Sequence, residues 1–395
     1  PVGATASTVR NFPSSSGGQI GGGIGGNGGH NGNAYGGGGG GGGAGLYYMD
    51  NTPLDFSWTL GLSIAGNYGG DAGRGALGSG AAGGGGAGVI FIGTTLDVPR
   101  GILMLGGTGG NGGLAGGGGG VGLSFSGQKL TLSGEIQAGG GGNGPNAGQG
   151  GGDGGTGLFI VSDNGQIDLT TRSSSGGATG GIRGGPGGNG GGMSGAGMII
   201  AGNGNTVSNT GAIIGGQSYD PNDILHAGIG IVVNGNNNRI INSASITGGR
   251  VTVPVGFVAG NKAVAVAGAG NELELHAGYD VEGPVRSTGA NNSIILGGSV
   301  DALFQPLQVT GYETNYDGFA RYRKTGTSTW TVKYKAIDSG AWSIEAGRLI
   351  LQDISDFSSA DSITIDAAMD VSGISAGDTT FKRLMGATGG QLDMG

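Results

Sequence analysis

The sequence predicts an all-β solenoid, a parallel β-helix from which glycine-rich excursions depart and return. Three observations carry that expectation. Glycine-rich runs repeatedly collapse into short apolar strands, at Gly45-Leu46, Gly88-Val89, Gly122-Leu123, Gly157-Leu158, Gly197-Met198 and Gly230-Ile231, with successive exits 43, 34, 35, 40 and 33 residues apart. Intervals in that range with a fixed internal grammar mark a repeat architecture. Second, Asn205, Asn238 and Asn271 stand 33 residues apart, whereas Asn271 and Asn292 stand 21 apart; the shorter step suits one β-helix turn, and the longer one a turn plus an excursion. Third, no window offers an amphipathic helix. The pieces between the runs, such as Val89-Ile90-Phe91-Ile92 and Leu130-Thr131-Leu132, are alternating or β-branched instead.

Composition narrows the class. Of 395 residues 105 are Gly and only 10 are Pro, a bias that ordinarily signals low-complexity disorder. The 35% apolar share, bunched into short runs, argues for a buried core instead. Collagen requires one Gly in every third place and abundant Pro, whereas two of three positions are often Gly here. A formal charge of −8 with scattered basic residues excludes the clustered Lys and Arg of a nucleic-acid partner. There is no Cys, so disulfides and thiolate metal sites are ruled out. No uninterrupted apolar stretch of ~20 residues is present to span a bilayer. The chain begins at Pro1 without a signal peptide, and is expected to be a processed or excised piece.

Three regions follow along the chain. Residues 1–197 form the Gly-rich region, in which glycine pairs alternate with a variable third residue: Ile24, Asn27 and His30, then Thr108, Asn111 and Leu114, then Arg183, Pro186 and Asn189. A three-residue period suits the polyproline-II backbone, which has no internal hydrogen bonds. Its amides must find partners on other segments. Either the runs satisfy one another as a polyglycine-II bundle, or they are loose loops. In a bundle, a run such as 106–122 folds back on itself, bulky residues face outward, and Gly112→Val is far more damaging than Asn111→Val.

Residues 198–303 show strands separated by Asn/Gly turns. Asn and Gly suit such corners because both tolerate left-handed backbone angles, and stacked Asn can pair in ladders. The expected interior stack includes Ile200, Val233, Val266, Ile240 and Leu273. Two excursions here have lost their glycine, 217–226 and 250–258, and carry Tyr, Leu, Phe and Val in its place. Such amphipathic side chains are what binding surfaces use. The candidate ligand-binding residues are therefore Tyr219, Asp220, Asp223 and Phe257; the alternative is that both loops cap the end of the glycine region.

Residues 304–395 change grammar. Lys324-Thr325-Gly326-Thr327-Ser328-Thr329-Trp330-Thr331-Val332, followed by Ser339-Gly340-Ala341-Trp342-Ser343-Ile344-Glu345-Ala346-Gly347-Arg348-Leu349-Ile350-Leu351, resembles the passenger-associated repeat of autotransporters, the type V secreted proteins of Gram-negative bacteria. The Asn/Gly turns of 198–300 look like passenger β-helix as well, less specifically. The resemblance implies a right-handed parallel β-helix exported by its own C-terminal outer-membrane β-barrel, which this chain lacks. It implies an extracellular or bacterial cell-surface location. The glycine triplets are separately similar to the polyglycine-II bundles of some phage adhesins and of a springtail antifreeze protein.

Chemistry is sparse. The three His are His30, His226 and His276, and no Gly-x-Ser-x-Gly elbow or Gly-Asp-Ser-Gly motif is present. No catalytic residues, and hence no enzyme, are expected. Asp220-Pro221-Asn222-Asp223 and Asp163-Asn164-Gly165 are oxygen-rich, but neither reproduces a calcium loop, and both read first as turns. No Gly-x-x-x-x-Gly-Lys follows a strand, and no metal or cofactor is expected. Two functions remain: an adhesin presenting its loops to a host-cell surface molecule or glycan, or a structural stalk presenting a part missing from this chain. Ice binding is disfavoured by the mixed third residues.

Overall fold

The computed structural model describes residues 19–30, 36–56, 61–74, 79–145, 150–171, 181–218, 226–253, 256–259, 261–305, 316–333, 340–353, 360–374, 381–386 and 389–394. Among these there is no α-helix. Short strands line up in long parallel sheets of eight, nine and twelve members, and each strand pairs with the one three places along the chain through most of its length. That connectivity is a parallel β-helix, one strand per sheet per turn. A representative turn runs through Met198–Ile200, Thr206–Asn209 and Ile213–Ile214, and the next through Ile231–Val233, Arg239–Asn242 and Ser245–Thr247.

The interior is a set of side-chain columns. Ile200, Val233 and Val266 are in register, as are Ile240 and Leu273, and all five are buried, as expected from their strand positions. A third column is formed by Ile64, Met104, Ile136, Ile182, Ile213 and Ile246. Tyr48, Phe91 and Phe125 stack ring on ring in the first turns, with centroids 5.3 and 5.5 Å apart. Removing such columns from water is the main stabilising term.

The Asn periodicity is a ladder inside the wall. Asn205, Asn238, Asn271 and Asn292 are buried, and each accepts the backbone N–H of the preceding rung on its Oδ1: Gly165 to Asn205 at 2.8 Å, Asn205 to Asn238 at 2.9 Å, Asn238 to Asn271 at 2.8 Å and Asn271 to Asn292 at 2.7 Å. The residue before each rung is left-handed: Asn164 (φ 55°), Gly204 (66°), Asn237 (55°), Gly270 (67°) and Asn291 (59°). Only Asn and Gly occupy that column, because other side chains are strained there. Asp163-Asn164-Gly165 is thereby a corner of the solenoid. Asp163 accepts the Asn203 N–H at 2.6 Å.

The glycine excursions are packed arms, and the alternative of loose loops is excluded where they are described. Each leaves after a strand of the eight-stranded sheet and returns to a strand of the nine-stranded one. In 106–122 the outgoing arm donates to the next outgoing arm, Gly106 to Gln137 O, Gly109 to Gly140 O and Gly112 to Asn143 O, at 2.8 to 3.0 Å. Its intervening amides donate backward, Gly107 to Gly86 O and Gly110 to Gly83 O. The returning arm closes on its own partner through Gly117 to Gly110 O and Gly120 to Gly107 O. The result is a two-layer polyglycine-II bundle built on the β-helix. A Cβ at Gly112 would stand 1.7 Å from Ala115 O, whereas the neighbouring Asn111 is exposed.

Two features depart from the repeat. Arg250–Val253 and Gly256–Ala259 form an antiparallel hairpin, where the sequence suggested a loop; Val251, Thr252, Val253 and Val258 have the β-branched character that favours a strand. From Ala302 onward a five-stranded sheet, Ala302–Phe304, Thr329–Lys333, Arg348–Asp353, Ala368–Ile374 and Gln391–Asp393, runs beside the end of the twelve-stranded one. Here Tyr322 and Trp342 stack with centroids 4.8 Å apart. Lys324 is fully buried in the same strand set and donates to Thr325 O, Gly326 O and Ala346 O at 2.6, 3.1 and 3.1 Å.

Candidate functional site

Tyr219, Asp220 and Asp223 lie outside the described residues. Phe257 lies in the second strand of the hairpin, opposite Thr252. Ser218, at the described edge of the neighbouring excursion, bridges in parallel to Val251, and Ser218 N–H donates to Arg250 O at 3.0 Å. The two glycine-poor excursions are thus neighbours, stacked where the glycine arms end.

A concavity among the described residues lies elsewhere, on the bundle, and follows from its triplet geometry. Two residues of each triplet are clamped between arms, save that Gly26 and Gly29 of the first arm face open space, and the third faces out. On the outer face of the outgoing layer the third residues align across turns. Ile24 is level with Tyr68 and Thr108, and Asn27 with Asp71, Asn111, Asn143 and Asn189, because Gly25 donates to Tyr68 O, Gly28 to Asp71 O, Gly69 to Thr108 O, Ala72 to Asn111 O, Gly112 to Asn143 O and Gly144 to Asn189 O.

The second row is locked by its own side chains. The N–H of Asp71 donates to Asn27 Oδ1 at 3.0 Å, Asn111 to Asp71 Oδ1 at 2.6 Å, Asn143 to Asn111 Oδ1 at 2.9 Å and Asn189 to Asn143 Oδ1 at 3.0 Å. These are the outward-facing amides that the bundle itself leaves without a partner. One step further out, Arg74 N–H donates to His30 Nδ1 at 2.9 Å. A groove of about 900 Å³ runs along this edge, lined by Asn27, His30, Asp71, Arg74, Asn111 and Asn143, with Ser79 and Pro145 beside them.

The returning layer is its opposite. Its outward positions in the first three arms are Gly38, Gly41 and Ala44, then Ala81, Gly84 and Ala87, then Ala115, Gly118 and Val121, aligned by Gly39 to Ala81 O, Gly42 to Gly84 O, Gly85 to Gly118 O and Gly88 to Val121 O. Packing does not demand glycine there. A Cβ would meet its nearest atom only at 3.5 Å on Gly38, 3.8 Å on Gly41, 3.4 Å on Gly84 and 3.7 Å on Gly118. The outgoing face therefore carries a polar row through all its arms, and the returning face is bare over its first three arms, with Asp153, Thr156 and Met193 following in the next two.

Sequence reasoning missed the groove. Its rungs are 44, 40 and 32 residues apart, an irregular spacing that hides an aligned column. The available signal was an Asx at the third position of a triplet in successive runs.

Fold and surface together define a class, a β-solenoid bearing a polyglycine-II bundle whose outgoing face carries a continuous polar row. No protein-family model matches the chain, and neither a curated protein nor a solved structure matches it.

Proposed function

We propose that the chain is the passenger of a Gram-negative autotransporter, displayed outside the cell, and that it acts as an adhesin. The observation that carries this reading is the asymmetry of the bundle: a row of Asx side chains runs the length of the outgoing face, whereas the first three arms of the returning face present only Gly, Ala and Val121, with Asp153, Thr156 and Met193 appearing in the next two. A scaffold alone needs no such difference. The strands Arg321–Lys324, Thr329–Lys333, Ala341–Ile344 and Arg348–Asp353, which contain the stretch resembling the passenger-associated repeat, support the export assignment. Its partners on this reading are a host-cell surface molecule or glycan and, for export, its own outer-membrane β-barrel.

A structural stalk is the second reading, favoured by the unbroken nine-stranded sheet from Leu46–Asp50 to Tyr316–Asp317. Cell-binding assays with the purified chain separate the two. Saturable binding supports the adhesin, and a surface-displayed chain that confers no adhesion refutes it. The excursions 217–226 and 250–258 are tested by Tyr219→Ala with Phe257→Ala. Unchanged cell binding in that double variant removes these loops from the proposed interface.

A further inference from the structure

We infer that the groove on the outgoing face binds a neutral polysaccharide, lying across the arms along the Asn27–Asp71–Asn111–Asn143 row. This rests on the surface-binding reading above and names the ligand class for it.

The first reason is which atoms are engaged. In Asn27, Asn111 and Asn143 the atom that receives the neighbouring backbone N–H must be the carbonyl oxygen, because a donor cannot accept. Each side chain is thereby held, and its amide nitrogen makes no hydrogen bond among the described residues. The row is a set of pre-ordered donors, so little side-chain entropy is lost when a ligand hydroxyl arrives. His30 joins it: with Nδ1 accepting from Arg74 N–H, the ring's other nitrogen is the one that carries hydrogen.

The second reason is charge. Asp71 and Arg74 bring one carboxylate and one guanidinium to the groove, which cancel. A phosphorylated or sulfated ligand would meet Asp71, and a cationic one would meet Arg74. A polyhydroxylated neutral ligand uses both, since hydroxyls donate to carboxylates and accept from guanidinium and amide groups.

The third reason is repetition. The bundle offers an Asx side chain again at each outgoing arm, an amide at Asn27, Asn111 and Asn143 and a carboxylate at Asp71, at about the 4.8 Å separation of neighbouring extended chains. A small ligand would use one or two rungs. A polymer that repeats its hydroxyls meets an equivalent partner at each step, and weak single contacts add up along it. The groove is open and of a size that ordinarily holds a ligand. One triplet nearer the β-helix, Ile24 and Tyr68 are 71% and 59% exposed, and supply apolar surface for the C–H face of a sugar ring.

The test is affinity electrophoresis of the whole chain in gels containing dextran, mannan or xyloglucan as neutral polymers, alginate as the anionic one and chitosan as the cationic one. Retardation by at least one neutral polymer is expected. Asn111→Asp keeps the oxygen that Asn143 N–H needs and removes the amide donor, and Arg74→Gln removes the charge balance while keeping the backbone bond to His30. Each should weaken retardation roughly three- to tenfold, the loss of about one hydrogen bond, with an unchanged melting temperature. Gly84→Ala, on the bare part of the returning face, should leave retardation as it was. Retardation by no polymer, or by alginate or chitosan alone, overturns the inference. So does an equal loss in Gly84→Ala, or full retention in both groove variants. Cell adhesion that survives in Asn111→Asp and Arg74→Gln would refute this groove and spare the adhesin reading. Polysaccharide binding without cell adhesion would do the reverse.

Discussion

Gly109 and Gly118 belong to opposite arms of one excursion, and replacing each in turn by Ala separates packing from composition. The two variants have the same formula and nearly the same unfolded chain. At Gly118 a new Cβ would lie 3.7 Å from Asp153 O, ordinary contact, and the backbone is not left-handed. Ala there only restricts the unfolded state, which stabilises by about 0.4–1 kcal/mol. At Gly109 the Cβ would stand 1.8 Å from Gly117 O and 2.9 Å from Gly118 O. The arms would have to part by about 1.5–2 Å to restore van der Waals separation. That movement breaks the inter-arm bonds Gly117 N–H to Gly110 O (2.9 Å) and Gly120 N–H to Gly107 O (2.7 Å). At ~0.5–1.5 kcal/mol each, with ~1–3 kcal/mol of overpacking, Gly109→Ala should destabilise the bundle by roughly 2–6 kcal/mol. Because a repeat protein opens locally, amide exchange at Gly117 and Gly120 is the direct assay, with the urea midpoint beside it. Protection there should fall by about thirtyfold or more in Gly109→Ala and not fall in Gly118→Ala. Equal protection in the two variants would refute the packed-arm account.

Two further outcomes follow from buried polar groups. Asn238→Ala removes the Oδ1 that takes both Asn205 N–H (2.9 Å) and Asn205 Nδ2 (3.0 Å), so the urea midpoint should drop by the equivalent of about 2–4 kcal/mol, whereas Asn236→Ala in the exposed corner should cost under ~1 kcal/mol; similar losses at the two sites would refute the ladder's role. Burial pushes the Lys324 ammonium down to about 8 from its ordinary 10.5. Between those values the unfolded chain holds a proton that the folded chain has released, so this residue's contribution to stability rises as pH climbs through that window. Comparing denaturation midpoints at about pH 7.5 and about pH 9.5 should show that rise in the wild type relative to Lys324→Met. The same pH response in both proteins would contradict it.

The solenoid was legible because its signals are local and periodic. Asn205, Asn238 and Asn271 announce the corners, and each is followed by a strand whose alternation fixes what turns inward. The arms were legible as an either-or: triplets specify a polyproline-II backbone, but only neighbouring arms from other turns decide whether its amides are satisfied. The polar row was not legible. Asp71 sits in a short run, 66–74, whose Asn67, Tyr68 and Ala72 blur the triplet, and no sequence interval relates it to Asn27 or Asn143. Lys324 was hidden for a different reason. A lysine in an alternating strand reads as solvent-facing, and its three carbonyl partners come from the chain just beyond it and from Ala346 in the next turn.

Register also makes the unit exchangeable. Met198 pairs with Ile231, Thr206 with Arg239 and Ile213 with Ile246, so all three walls advance by one common offset. Losing or duplicating a whole unit by unequal recombination leaves every wall aligned, whereas a single-residue slip would turn each strand inside out. The arms impose a stricter grammar on length. Excursions 66–88, 106–122, 138–157 and 184–197 differ in length by multiples of three, with 22–45 one residue out of step, since one extra residue within a packed arm would carry a side chain into the space where neighbouring carbonyls already touch glycine. Rod length and arm reach are therefore separately adjustable in evolution, the first by whole turns and the second by threes.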